Sequence, residues 1–365
     1  MKIKALIAFG LLALSVLVYT GYGNEEHRLT HVSPIFEVDG TFGAMTGPLD
    51  QTFNIPFNNQ DHRELVWLTG FEAESVGPKE ETKPDEFLCH AAVWMECKIE
   101  DYRALWGEEG YGSGRFFTLA QGQVSMKFPE GFAIPAPGGQ TFSLTTQLLN
   151  EWEENVGERV RHKTQLYFDR NRDLDEPPTP LALFEATARV YMDPEEAAEA
   201  GQPSAEMVPA HGGDGVDSQG RRWSAHWLVP PGRHEYRSPV DLMLPFDTKA
   251  HYIAIHLHRL AVSCELIDKT TGEVVFHADA HHTNGRLSKV DHYSSTEGLQ
   301  LYKDHEYELV SVYDNTEDEK IGAMAIAFIY VEDKLFKMPD LNKLVAPAPI
   351  VGPNREMFCA FPEDM

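Results

Sequence analysis

Ala250-His251-Tyr252-Ile253-Ala254-Ile255-His256-Leu257-His258 is the stretch on which the fold turns. In an extended strand, successive side chains leave on opposite faces. Ile253, Ile255 and Leu257 then enter a core, and His256 and His258 share the other face. Similar short apolar runs recur at Glu64–Thr69, Thr141–Leu144, Thr164–Phe168, Glu308–Tyr313 and Ala323–Tyr330. Gly, Pro, Asn and Asp break them up, as expected of strands and turns. Helical periodicity is confined to Glu195–Gly201 and Gln147–Val156. With 28 Gly and 23 Pro, the pattern reads as an all-β protein of antiparallel sandwiches.

The 365 residues suggest two domains, and 42% hydrophobic content is enough to build cores. The formal charge of -26, from 57 acidic against 31 basic side chains, repels nucleic acid and anionic lipid. Eleven of the 16 histidines lie between His211 and His305, which turns attention to metals. The polar, proline-ended run 169–180 marks the domain break. Residues 193–220, rich in Ala, Glu, Gly and Pro, read as an insertion in the second domain. The proline-bearing tail after Asp340 reads as extended coil.

At the N-terminus, Met1-Lys2-Ile3-Lys4 precedes an apolar run from Ala5 to Val18, then small residues to Gly23. This reads as a secretory signal over residues 1–23 and an exported, periplasmic or extracellular protein. The rival reading is anchoring of the uncleaved chain in a membrane by residues 5–20. Export allows disulfides among Cys89, Cys97, Cys264 and Cys359, with three connectivities. No CxxC pair, HExxH, Walker loop or GxSxG elbow is present.

Two imidazoles at i and i+2 on one strand face can grip one transition metal. An isolated HxH is more often a pair of surface histidines. Met324 begins a later strand-like run, where its thioether could reach a neighbouring site. With two imidazoles, a soft thioether suits copper, especially Cu(I). By itself, Met324 is more often a core gap-filler. His277, His281 and His282 offer a weaker cluster, more often exposed loop histidines than a metal site. Asp169, Asn171, Asp173 and Asp175 alternate like a calcium loop but lack its glycine and final glutamate.

The ordered set of His226 to Gly232, Ala250 to His258, Lys303 to Glu308, Tyr313 to Thr316 and Ala323-Met324 resembles the C-terminal domain of copper type II, ascorbate-dependent monooxygenases. The resemblance covers most of residues 180–335. It implies two antiparallel jelly-roll β-sandwich domains, at 24–178 and 179–340, and an extended tail at 341–365. It also implies a catalytic copper on His256, His258 and Met324, facing a cleft against the first domain. His226 is a candidate for the shell behind those ligands. The implied activity is oxygen-dependent C–H hydroxylation of an organic substrate, with dioxygen and a one-electron reductant such as ascorbate.

The first domain of that family carries an electron-transfer copper held by three histidines. Asp85 to His90, followed by Cys97, resembles its paired-histidine strand, with His90 as the one matching ligand. Gln147 occupies the place of a later histidine. The second site therefore reads as degenerate. Loss of the second copper leaves an alternative to the enzyme: a non-catalytic copper-binding or surface interaction protein of the same fold.

Overall fold

The computed structural model describes residues 23–25, 27–56, 64–95, 114–138, 141–199, 205–207, 214–342, 348–351 and 357–360. The residues before Gly23, expected to form a signal segment, and Cys97 lie outside them. No helix among the described residues is long and apolar enough to cross a membrane.

The chain is nearly all β. One large sheet runs through both halves. Its N-terminal part is Arg28–Val32, Arg159–Arg170, Leu65–Val76 and Phe132–Pro137. Its C-terminal part is Thr179–Thr187, Ala325–Glu332, Thr248–Leu257 and Tyr293–Leu301. The parts meet where Thr179 pairs with Phe132 and Pro180 with Ala133, in parallel. All other strand pairs among the described residues are antiparallel. The expected domain limit at 178/179 thus falls where the chain enters the strand shared by both halves.

Each half has a second layer. Leu49–Pro56, Thr141–Leu148, Leu88–Met95 and Arg115–Ala120 form it in the N-terminal half. In the C-terminal half, Gly232–Val240, Tyr307–Asn315, Ala261–Asp268, Glu273–Thr283 and Arg286–Val290 form it.

The core follows from the strand period. Ile253, Ile255, Leu257, Ala327 and Ile329 pack on Leu266, Leu309 and Tyr313 of the C-terminal outer layer. The opposite face of the same strands carries Leu183, Tyr252, Ala254, Phe328 and Tyr330. These join Phe116, Phe117 and Phe128 in the core of the N-terminal half. Phe128 and Tyr330 have ring centroids 4.9 Å apart, and the Tyr330 hydroxyl donates to the Phe116 carbonyl at 3.1 Å. Both faces are therefore dry, so Ala250 to His258 is buried without interruption. A further clasp is the turn after Thr283, whose Arg286 binds Glu86 and Glu154 and stacks on Trp152.

Several local expectations need correction. Gln147–Val156 is not a helix: it holds the end of the Thr141–Leu148 strand and a single 3-10 turn at Glu153–Asn155. The pattern misled because the acidic turn follows an apolar strand end. The Glu195 candidate is a helix at Pro194–Glu199, capped by the Asp193 carboxylate, which accepts from the amides of Glu195 and Glu196. The tail, read as coil, contains the antiparallel pair Ala348–Val351 and Met357–Ala360. Asn171 is a structural partner, accepting from the Trp67 indole at 3.0 Å.

Candidate metal centre

The Thr248–Leu257 strand carries His256 to the face that meets the N-terminal half, and His258 follows it there. His256 is 8% exposed and His258 5%, so these are not the surface pair that an isolated HxH suggests. Their ring centroids lie 5.1 Å apart. His258 Nδ1 lies 3.3 Å from the Gly322 carbonyl. A carbonyl only accepts, so Nδ1 carries the proton and Nε2 keeps the lone pair that a metal would use.

Met324 sits where the chain changes sheets. Ile321–Ala323 pairs with Trp227–Val229, whereas Ala325–Glu332 pairs with Thr248–Leu257. Leu257 faces Ala325, so continuing that register puts Met324 across from His258. On the other side, Trp227 faces Ala323, so the same continuation puts Met324 across from His226. The Tyr313 hydroxyl donates to the Met324 carbonyl at 2.6 Å and accepts from the His258 amide at 3.2 Å. His226 is buried, with its ring 6.1 Å from that of His258.

The donor set can be tested against copper. His256 Nδ1 is buried with no hydrogen-bond partner among the described residues. A buried polar atom left without a partner calls for an explanation, and a bound metal is one. Burial, first of all, pushes the His256 pKa well below its ordinary value; His258, His90, His226 and Arg115 add to the effect. A neutral imidazole is the form a metal requires. No group of three or more His, Cys, Asp or Glu among the described residues is placed to hold a metal. A third donor therefore has to come from outside that list, and the Met324 thioether is the one brought nearest in register. On chemistry, the set fits Cu(I).

The N-terminal candidate is poorer. His90 lies on the Leu88–Met95 strand with Gln147 directly opposite it. Burial, with Arg115 and His162 nearby, pushes its pKa down to about 4. Gln147 donates to the Gly47 carbonyl at 2.9 Å, while its Oε1 is buried without a hydrogen-bond partner among the described residues. Cys89 is a free thiol that accepts from the Met45 amide at 3.4 Å. Burial pushes its pKa up to about 11, so it stays protonated and is a poor metal ligand. Cys264 is also buried and free, so neither carries the disulfide that export allowed.

Sequence reasoning missed Arg115. Its guanidinium lies over Trp94 at 3.9 Å and beside Glu185 at 3.7 Å, close enough to His256 and His90 to depress both. In Arg115-Phe116-Phe117 it looks like a strand-edge charge, and only the fold brings it to the histidines. The histidines of 277–282 are exposed. His277 binds Glu265 and Asp279, and His281 binds Asp291.

A cleft of about 490 Å³ opens beside the centre, lined by Gln121, Glu151, Trp152, His226, His258 and Arg259 among others. Arg259 is held by Glu151 at 3.1 Å and by both oxygens of Glu317.

No protein-family model matches the chain, and no curated protein matches it. Among solved structures it is similar to the STIV MCP at 9% identity and a TM-score of 0.29, over 82% of this chain and 96% of that one. It is also similar to the Macrobrachium rosenbergii nodavirus at 9% identity and 0.17, over 91% and 96%. A third similarity is to pro-11S globulin of pumpkin, at 9% and 0.17, over 84% and 82%. Overlaps this loose carry no argument about function.

Proposed function

We propose that the protein is a mononuclear copper protein whose centre is His256, His258 and Met324, and that it performs oxygen-dependent hydroxylation of an organic C–H bond with an ascorbate-type electron donor. The observation that carries the copper assignment is the buried His256–His258 pair, with an unpartnered His256 Nδ1, beside Met324 at a change of sheets. The oxidative activity rests on the sequence resemblance. On the same reading the halves are jelly-roll sandwiches, 24–178 and 179–340, and the chain is exported behind residues 1–23.

Bound copper would supply one-electron redox chemistry and dioxygen activation. The chain's own residues do the positioning. Gly322 fixes the His258 tautomer through its carbonyl. Tyr313 fixes the His258 and Met324 backbones relative to each other. The Phe128–Tyr252–Tyr330 packing beneath keeps water from one side. The cleft between Trp152 and His258 gives a substrate its approach.

Copper stoichiometry tests the assignment. The loaded protein should hold one copper per chain, and His256→Ala and Met324→Ala should each lose it. Unchanged stoichiometry in both variants overturns the reading. The second reading is a copper-binding protein without turnover. It is favoured by Gln147 standing opposite His90, where the resemblance calls for a histidine. Copper-dependent, ascorbate-driven oxygen uptake over a broad substrate panel separates the two.

A further inference from the structure

A second cleft, of about 430 Å³, lies in the C-terminal half and takes no part in the copper reading. Its walls come from the strand that follows Thr179–Thr187, the 239–244 segment and the turn around Tyr302 to His305. Two cations of this cleft have no carboxylate partner among the described residues, in a chain of charge -26. Arg189 has no carboxylate within ion-pair distance among the described residues, and its Nε is buried with no hydrogen-bond partner among them. Its guanidinium carbon lies over Trp223, 4.7 Å from the ring centroid. The Lys303 ammonium, on the rim, likewise has no carboxylate partner among the described residues.

The acidic groups of the cleft are already engaged. Asp217 takes the Arg221 guanidinium at 2.6 Å, the Tyr191 hydroxyl at 2.9 Å and the amides of Gln219 and Arg221. Glu306 lies 3.7 Å from Lys269. Asp241 accepts from the Met243 amide at 3.0 Å. That contact holds Met243 at a φ of 45° with its side chain 76% exposed. Such a conformation is strained for an unbranched, non-glycine residue. Strain of this kind collects where a wall is shaped for a ligand. Beside Lys303, Tyr302 lies against His305 with ring centroids 4.4 Å apart. Asp268 fixes that imidazole through Nδ1 at 2.6 Å. The two rings make an anchored aromatic shelf next to the free cations.

We propose that this cleft binds a small organic oxyanion, a carboxylate carried on a planar ring. Arg189 and Lys303 hold the carboxylate, and the Tyr302–His305 shelf takes the ring. A guanidinium that lines the cleft and has no carboxylate partner among the described residues matches a carboxylate edge. The cleft volume exceeds what an inorganic anion fills, and the aromatic shelf accounts for the excess. The site is independent of the copper centre and binds alike with or without the metal.

The test is calorimetric titration of the whole chain with benzoate, benzyl alcohol and inorganic phosphate. Benzoate should saturate one site per chain. Benzyl alcohol and phosphate should each bind at least about tenfold more weakly, because one lacks the charge and the other the ring. Arg189→Gln and Lys303→Gln should each weaken benzoate by about tenfold. Lys303 is exposed, so its variant reports even if Arg189→Gln disturbs the fold. Failure of benzoate to saturate, or wild-type binding in Lys303→Gln, overturns the proposal. Phosphate binding as tightly as benzoate overturns the part assigned to the shelf.

Discussion

His258 and Met324 are tied together by one hydroxyl. Tyr313 accepts from the amide of the first and donates to the carbonyl of the second. The two residues lie on strands that pair only as far as Leu257 and Ala325. Tyr313 therefore extends the ladder by one step, across the point where the sheet ends. Tyr313→Phe leaves both backbone groups buried and short of a partner. Unfolding stability should fall by about 1–3 kcal/mol, read by urea denaturation. Copper(I) affinity should fall with it, read by competition against a chelator. A variant with wild-type stability would show that the hydroxyl does not carry this joint.

His162 gives the fold an acid-sensitive side. It is fully buried, its Nε2 lies 3.1 Å from the Phe87 carbonyl, and burial pushes its pKa down to about 4. In the unfolded chain an imidazole titrates near 6.5. Between these values the unfolded state binds more protons, so the native state loses stability as pH falls. The contribution is complete above about 6.5 and fades toward about 4, for a total on the order of 3 kcal/mol. Denaturation curves across that window should show the slope in the wild type, and a shallower slope in His162→Gln. An unchanged slope would assign the acid sensitivity elsewhere.

His277 should behave in the opposite way. Asp279 and Glu265 raise its pKa by accepting from its two ring nitrogens. Its contribution is full below the unfolded value and is lost as pH rises through the folded one. Proton NMR should find its midpoint above 6.5, and Asp279→Asn should bring the midpoint down. The effect on stability is small, because the group is largely exposed.

The two buried thiols should be inert. Burial pushes Cys89 up to about 11 and Cys264 up to about 12, and the thiolate is the reactive form. Peptide mapping after iodoacetamide at pH 8 should find both unmodified in the native protein and both modified in denaturant. Native labelling at Cys264 would mean that the C-terminal core opens readily.

The period-2 pattern of Ala250 to His258 was enough to put His256 and His258 on one face. It could not show that this face is dry, because what covers it comes from Phe116 to Phe128, more than a hundred residues away. His226 was visible as a neighbour of a turn, yet its approach to His258 depends on the register of Trp227 with Ala323. Arg115 and Arg189 were not legible at all. Each is a charge in an ordinary strand context, and each acquires its meaning from stacking on an indole, Trp94 or Trp223. The failed helix at Gln147–Val156 has a similar cause. Local spacing favoured it, but Thr141–Leu148 is held between two other strands, and tertiary pairing overrides propensity.

The parallel junction of Thr179 with Phe132 makes the halves inseverable. A fragment beginning at residue 179 would present Leu181, Leu183, Tyr252, Phe328 and Tyr330 to water as one continuous greasy wall, next to an unpaired strand edge. Such a piece would self-associate rather than stand as a free domain. The same seam denies the molecule a hinge. Access to the cleft beside His258 therefore runs past side chains such as Trp152, and not through the two halves swinging apart.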